Sequence, residues 1–323
     1  MDGRVQQWLT ERSSLGRSWD RRDLVRSKGG TRVDVVLPAR NEADTVGDIV
    51  RAIRRELMEQ VPLVNEVVVI DSGSVDDTAA LAAAAGARVV RQDSVLPSLG
   101  DVPGKGEALW KAQFATHGDV LVFVDADLRE FDPQFVVGLL GPLLTDPSVS
   151  FVKAVYDRPL ASTERVLPAG GGRVTELVAR PLLGLHWPLL AGFVQPLAGE
   201  YAARRELLER VPFASGYGVE VGLLIDVLEL AGLDAMAQVD LGRRVHRNQD
   251  DAALGRMAAQ VMLTVLARLQ THDRAVFPSA PGHLLTQFQR VGDDYHAHVS
   301  DVSVTDRPPM GALPEYQRRP VRL

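Results

Sequence analysis

The chain has 323 residues, a formal net charge of −6, 46% hydrophobic and 24% charged residues, the balance of a globular protein with a sizeable core and, on length, about two domains. The absence of cysteine excludes disulfides and thiolate metal sites and points to a reducing, cytoplasmic setting. The acidic balance argues against broad nucleic-acid binding, so an anionic substrate requires a local basic pocket.

The first residues are polar and charged, and no signal peptide is expected. Residues 1–30 read as a helical arm, rich in arginine and carrying Trp8 and Trp19, with a flexible joint at Lys28-Gly29-Gly30. The tryptophans are expected to dock the arm rather than bind a ligand. Val33 to Leu37 is a short apolar strand ending in Pro38-Ala39-Arg40-Asn41-Glu42. Asp44 or Thr45 then caps a helix to about Glu59, with Val46, Ile49, Val50, Ile53 and Leu57 on one face. A second strand, Val67 to Ile70, ends in Asp71-Ser72-Gly73-Ser74-Val75-Asp76-Asp77-Thr78; an alanine-rich helix stopped by Gly86 and a third strand, Arg88 to Arg91, follow. This alternation predicts a parallel, Rossmann-like sheet. The first strand lacks G-x-G-x-x-G after it, which argues against a dinucleotide cofactor.

Pro103-Gly104-Lys105-Gly106-Glu107 opens a helix to Ala115. A lysine between glycines at a helix start suits a phosphate, although a solvated loop lysine has the same sequence. Val120 to Val124 is a buried strand ending in Asp125-Ala126-Asp127. Two acids at the carboxyl end of such a strand can hold Mg²⁺ together with phosphate oxygens; a surface turn is the plain alternative. A helix from Pro133 to Leu144 and a strand from Val149 to Tyr156 complete this half.

Beyond Ala161 the character changes. Pro168 to Gly172 reads as a flexible loop before a helix opened by Arg173-Val174-Thr175-Glu176, where an arginine calls for an anionic partner. The most apolar stretch, Leu182 to Ala198, is broken by His186, Pro188, Gln195 and Pro196 and reads as buried loop and short helix rather than a membrane span. Gln195 to Tyr201 leads to a charged helix containing Arg204 and Arg205. Gly216-Tyr217-Gly218-Val219-Glu220 opens an apolar helix through Leu230, where Glu220 serves either the helix dipole or a ligand. Met236 to Leu241 is a strand, followed by Arg243-Arg244-Val245-His246-Arg247-Asn248. Three arginines there disfavour protonation of His246, and neutral imidazole is the metal-ligating form; a structural histidine is the alternative. The helix Asp251 to Leu269, mixed segments and a Pro/Arg tail from Arg307, expected to be disordered, close the chain.

The three strand ends, Pro38–Glu42, Asp71–Thr78 and Asp125–Asp127, resemble in order and spacing the nucleotide-sugar half of GT-A glycosyltransferases. In the second half, Gly170–Glu176, Pro196–Glu200, Tyr217–Asp226 and Val245–Asn248 narrow the resemblance to the glucosyl-3-phosphoglycerate synthases of actinobacteria, over about Asp20 to Phe277. The resemblance implies an α/β GT-A fold with a mostly parallel central sheet. It divides the chain into the arm (1–30), a nucleotide-sugar half (31–160), an acceptor half (161–255) and a C-terminal helix and tail (256–323). It further implies a retaining transfer of glucose from UDP-glucose to the 2-hydroxyl of 3-phosphoglycerate with Mg²⁺ (Mn²⁺ as substitute), a homodimer, and the first step towards methylglucose lipopolysaccharide.

Carried over by motif, Pro38, Ala39, Arg40, Glu42 and Ser72 line the uridine pocket and Lys105 meets the donor. Asp125 and Ala126 contact the nucleotide, while Asp127 and His246 ligate the metal. Tyr217 and Glu220 orient glucose, and Leu197 lies at the reaction centre. Gly172, Arg173, Thr175, Arg244 and Asn248 hold phosphoglycerate. Three rivals remain: transfer from GDP-mannose, a polyprenyl-phosphate acceptor, disfavoured for want of a membrane-binding element, and a non-catalytic sugar-nucleotide-binding protein.

Overall fold

The computed structural model describes residues 2–157, 160–161, 166–167, 172–243 and 250–319. The arm supplies α1 (Gly3–Glu11), β1 (Ser13–Leu15) and α2 (Arg21–Lys28). Then follow β2 (Val33–Ala39), α3 (Val46–Arg54), β3 (Glu66–Asp71), α4 (Thr78–Ala84), β4 (Arg88–Arg91), α5 (Lys105–Ala115), β5 (Val120–Phe123), α6 (Gln134–Thr145) and β6 (Phe151–Asp157). The second half holds the short pair β7 (Leu160–Ala161) and β8 (Val166–Leu167), then α7 (Arg180–His186), β9 (Tyr201–Arg204), α8 (Arg205–Leu208), β10 (Phe213–Ala214), α9 (Val219–Ala231) and β11 (Met236–Arg243). Helix α10 (Asp251–Thr271), the hairpin β12 (Leu284–Val291) and β13 (Asp294–Asp301), β14 (Asp306–Arg307) and α11 (Pro314–Gln317) end the chain.

Eight strands make one sheet in the order β1-β11-β6-β9-β5-β2-β3-β4. Every neighbouring pair is parallel except those of β9, which runs antiparallel between β5 and β6. The strands read as apolar runs because both faces are covered. On β2 and β5, Val36, Leu121 and Phe123 pack with α5, α7, α9 and α10. Their alternate neighbours Val35, Leu37, Val120 and Val122 pack with α2, α3 and α6. The sheet therefore takes strands from the arm and from both halves of the chain.

The arm docks as expected: Trp8 is buried against Phe193, and its indole donates to the Met236 carbonyl at 2.9 Å. Two expectations need correcting at Arg204 and Thr45. Arg204 belongs to the central strand β9, not to a helix. A charged residue is tolerated at that strand end because its guanidinium donates to the carbonyls of Val149 (2.9 Å) and Leu143 (2.7 Å). Thr45, one of the two expected caps, stands at the N-cap position of α3, but its side chain makes no capping bond. The Thr45 hydroxyl instead donates to the Ala126 carbonyl at 2.6 Å, tying α3 to the acidic strand end.

A third correction concerns the tail from Arg307, whose described residues, Arg307 to Arg319, are folded along α5. Strand β14 pairs with β10, and the Trp110 indole donates to the Pro308 carbonyl at 2.8 Å. Arg307 grips the fully buried Glu107 with two bonds, 2.7 and 2.8 Å, beside the Trp110 ring. A Pro/Arg composition reads as unfoldable only when no buried carboxylate awaits the arginine. Helix α10 is the one described helix long and apolar enough to cross a membrane by length and composition. Its buried Arg268, however, is bonded to Asp226 of α9 and Asp306 of β14.

Arg307→Ala removes both bonds to Glu107 and leaves a buried carboxylate with Lys111 as its remaining cation. A loss of about 3 kcal/mol in unfolding free energy is expected from denaturant titration. A loss below about 1 kcal/mol would mean that the tail is not a structural element.

Candidate active site

The motif loops converge at the carboxyl ends of β2, β3 and β5, where open α/β sheets place their ligands. The first two loops are stitched together. Asn41 stands at φ 58°, a left-handed conformation that asparagine tolerates, and its side chain accepts the Val75 N–H at 2.9 Å. The Asn41 N–H donates to Ser74 Oγ at 3.0 Å and the Glu42 N–H to Thr78 Oγ1 at 2.8 Å. The Ser72 N–H donates to the Ala39 carbonyl at 2.9 Å. Pro38, Ala39, Arg40, Glu42 and Ser72 are thus held on one rim, with Arg40 exposed and Ser72 half-buried.

The third loop meets the helix starts. Lys105, the first residue of α5, is hydrogen-bonded and ion-paired to Asp125 and lies 3.1 Å from Glu220 in the first turn of α9. All three side chains are at most about a fifth exposed. Burial pulls the Lys105 ammonium down, but the charges of Asp125, Glu220 and Glu200 outweigh it and hold its pKa well above the usual lysine range. Close packing makes the junction possible: a Cβ on Gly106 would lie 1.9 Å from the Ala214 carbonyl oxygen, and one on Gly199 would lie 2.3 Å from Asp125 and 2.5 Å from the Lys105 nitrogen. Leu197, half-buried two residues before Gly199, is at the same corner.

Lys105 therefore faces carboxylates rather than open solvent, and Glu220 uses its charge on Lys105 instead of capping its own helix. Tyr217 is exposed at the entrance, with its N–H bonded to Gln260 at 3.0 Å. Asp127 is half-buried beside Asp125 and Ala126. An oxygen-only carboxylate donor at this strand end suits a hard divalent cation such as Mg²⁺. Its expected partner His246, with Arg244 and Asn248, lies outside the described residues. Among the described residues no group of three or more histidine and acidic side chains is gathered for a metal.

In the segment expected to hold the acceptor, Gly172 precedes a helical turn that buries Thr175 and exposes Arg173. The anionic partner anticipated for Arg173 is present within the chain, as Asp251 at the start of α10.

Two residues escaped the sequence reading. Lys153 of β6 and Tyr201 of β9 are register partners, wholly buried beneath the acidic cluster. Phe123 and Phe151 stack on Tyr201 at 4.7 and 5.5 Å, and the Lys153 ammonium lies 5.3 Å from its ring. Burial lowers the Lys153 pKa to about 8, opposed by Glu220 and reinforced by Lys105. Burial, with Glu220, pushes the Tyr201 phenol well above its usual range. A lysine inside the apolar run Phe151–Val155 was the available signal.

A profile of glycosyl transferase family 2 matches residues 34–170. The glucosyl-3-phosphoglycerate synthase of Mycolicibacterium smegmatis is 51% identical over 95% of this chain and 98% of its own length. The chain belongs to the glucosyl-3-phosphoglycerate synthase family. The synthase of Mycobacterium tuberculosis, solved with Mn²⁺, UDP and phosphoglyceric acid, superposes with a TM-score of 0.82 at 47% identity, covering 93% of this chain and 97% of that one. A mannosyl-3-phosphoglycerate synthase from Rubrobacter xylanophilus superposes with a TM-score of 0.88 at 42% identity, covering 95% and 97%. The α/β GT-A architecture of the synthase family is therefore the architecture of this chain.

Lys105→Met removes the cation that Asp125 and Glu220 share and leaves the more distant Lys153 charge against them, so one of them takes up a proton. A carboxyl whose folded-state pKa is raised stabilises the fold at low pH and loses that contribution as pH rises. The stability gap between wild type and variant should therefore narrow from pH 8 to pH 5 in scanning calorimetry. A gap independent of pH would show that the two carboxylates do not depend on Lys105.

Proposed function

We propose that the chain transfers glucose from UDP-glucose to the 2-hydroxyl of 3-phosphoglycerate, releasing UDP. The observation that carries this reading is the buried Lys105–Asp125–Glu220 cluster at the carboxyl end of the sheet, in a chain about half identical to named synthases along nearly its whole length. Residues 31–160 serve as the donor half and 161–255 as the acceptor half, with the arm and the C-terminal 256–323 bracing them.

The uridine lies along Pro38, Ala39, Arg40, Glu42 and Ser72, with Asp125 and Ala126 against the nucleotide. Asp127 and His246 would hold Mg²⁺ or Mn²⁺, which when bound offsets the charge of the departing diphosphate. Lys105 supplies a second, fixed positive charge towards that leaving group. Tyr217 and Glu220 orient the glucose, and Glu220 stabilises positive charge on a ring of oxocarbenium character. Front-face attack near the Leu197 backbone lets the leaving diphosphate oxygen accept the acceptor's proton, so retention needs no protein base. Gly172, Arg173, Thr175, Arg244 and Asn248 bind phosphoglycerate, whose anionic group takes Arg173 over from Asp251. The similarity to the Rubrobacter mannosyl enzyme supports a second reading, in which the donor is GDP-mannose.

Purified protein supplied with Mg²⁺ and 3-phosphoglycerate should release nucleotide from UDP-glucose and yield an α-anomeric product by NMR. Turnover with GDP-mannose alone would transfer the assignment to the second reading, and an inverted product would make Glu220 the general base. Arg173→Ala should raise KM for phosphoglycerate about tenfold or more while leaving that for UDP-glucose within about twofold. Equal effects on both would remove Arg173 from the acceptor site.

The homodimer implied by the family is supported by the β12–β13 hairpin. It exposes Leu284, Phe288, Val291, Tyr295 and Val299, more apolar surface than an isolated hairpin carries without a partner. Phe288→Lys combined with Tyr295→Lys should give a monomer by light scattering, and an unchanged mass would relocate the interface. A cytoplasmic setting follows from the absence of cysteine together with the phosphorylated substrates.

A further inference from the structure

Behind the donor rim a polar relay runs from Ser72 through the buried Gln92 to the exposed Asp101, and beyond Ser72 none of the site assignments uses it. Ser72 Oγ lies 2.7 Å from Gln92 Oε1, and Gln92 Nε2 lies 2.9 Å from Asp101 Oδ1. The same Asp101 oxygen accepts from Lys111 Nζ at 2.8 Å, and Lys111 also donates to the Gly100 carbonyl at 3.1 Å and pairs with Glu107 at 3.3 Å. Glu107 is in turn held by Arg307. Gln92, Lys111 and Glu107 are buried while Asp101 is exposed, so water reaches the relay at Asp101 but does not replace the buried Gln92 amide or the Lys111 ammonium.

The relay has one direction only. An ammonium donates and cannot accept; an ionised carboxylate accepts and cannot donate. Burial raises the Asp101 carboxyl, but its bonds from Lys111 and Gln92 outweigh this and hold it below the usual range, so it stays ionised at neutral pH. The Gln92 amide must therefore turn its NH₂ towards Asp101, which leaves its carbonyl oxygen towards Ser72. The Ser72 hydroxyl then spends its one proton on Gln92. What remains on Ser72 for a ligand is a pair of acceptor sites.

Resting on the reading of Ser72 as part of the donor pocket, we infer that Gln92, Asp101 and Lys111 are positioning residues that fix the Ser72 proton, so that the base pocket offers an acceptor and selects a nucleobase presenting an N–H there. Uracil meets this demand with N3–H. Cytosine has the same size but carries a bare lone pair at N3, and two acceptors would then face each other. The relay discriminates between pyrimidines by hydrogen-bond polarity and leaves size selection to the rest of the pocket.

The test is calorimetric binding of UDP and CDP, each with Mg²⁺, to the full-length protein and two variants. Wild type should bind UDP more tightly than CDP by about tenfold or more, the cost of a mismatched polar contact. Gln92→Met frees the Ser72 hydroxyl to rotate and donate to cytosine N3, so the ratio should fall to near one, mainly through tighter CDP binding. Should this variant fail to fold, Ser72→Ala at the half-buried rim serves instead: it should weaken UDP binding about tenfold and leave CDP unchanged. A wild type that binds both nucleotides equally, a Gln92→Met protein with an unaltered ratio, or equal losses in Ser72→Ala would overturn the relay while leaving the donor site in force. A wild type that binds neither nucleotide would overturn the donor reading itself and the inference with it.

Discussion

The ammonium of Lys105 lies between Asp125 and Glu220, so three elements distant in sequence, the start of α5, the end of β5 and the first turn of α9, share one buried charge contact. Buried charges are tolerated only in compensated sets. Around this point two lysines, 105 and 153, stand with three carboxylates, Asp125, Glu200 and Glu220, under mutual electrostatic influence. The set has a net negative charge and a fixed ammonium, a combination that suits a reaction developing a cationic sugar and an anionic leaving group. The same contact that closes the core of the site is therefore suited to glycosyl transfer.

That contact depends on how tightly the surrounding backbone is drawn together. Gly106 and Gly199 have no room for a side chain. Helix α5 is braced along its far side by the C-terminal segment, where Arg307 and Trp110 meet Glu107 and the Pro308 carbonyl. Beneath the cluster, the antiparallel β9 carries Tyr201 into the middle of the sheet, stacked with Phe123 and Phe151. A buried aromatic floor, with the Lys153 cation beside Tyr201, excludes water where charge is to be stabilised, which strengthens each electrostatic contact above it.

The strand–helix alternation, the sheet class and the three motif loops were legible because each rests on local pattern: apolar runs, glycine stops and acids at strand ends. Motif resemblance extended this to the family. What escaped was non-local. Arg204 looked like part of a helix because two adjacent arginines hide the short strand that ends there; most of their partners are backbone carbonyls supplied by α5, α6 and the loops around β5 and β6. The order in the tail was invisible because Arg307 finds its carboxylate two hundred positions earlier, at Glu107. Arg173 was rightly read as needing an anion, but Asp251 could not be recognised as that anion from its place in the chain. Gln92, Asp101 and Lys111 are ordinary polar residues until the fold aligns them behind Ser72.

A crystal structure of this chain with UDP-glucose, Mn²⁺ and 3-phosphoglycerate, with anomalous data collected at the manganese edge, tests the central claim most directly. The account predicts the manganese peak beside Asp127, uracil along the rim that carries Ser72, and the glucose ring between the diphosphate and the Glu220 carboxylate, with Lys105 still in the cluster. A nucleotide bound elsewhere, or a sugar ring out of reach of Glu220 and Lys105, would contradict it.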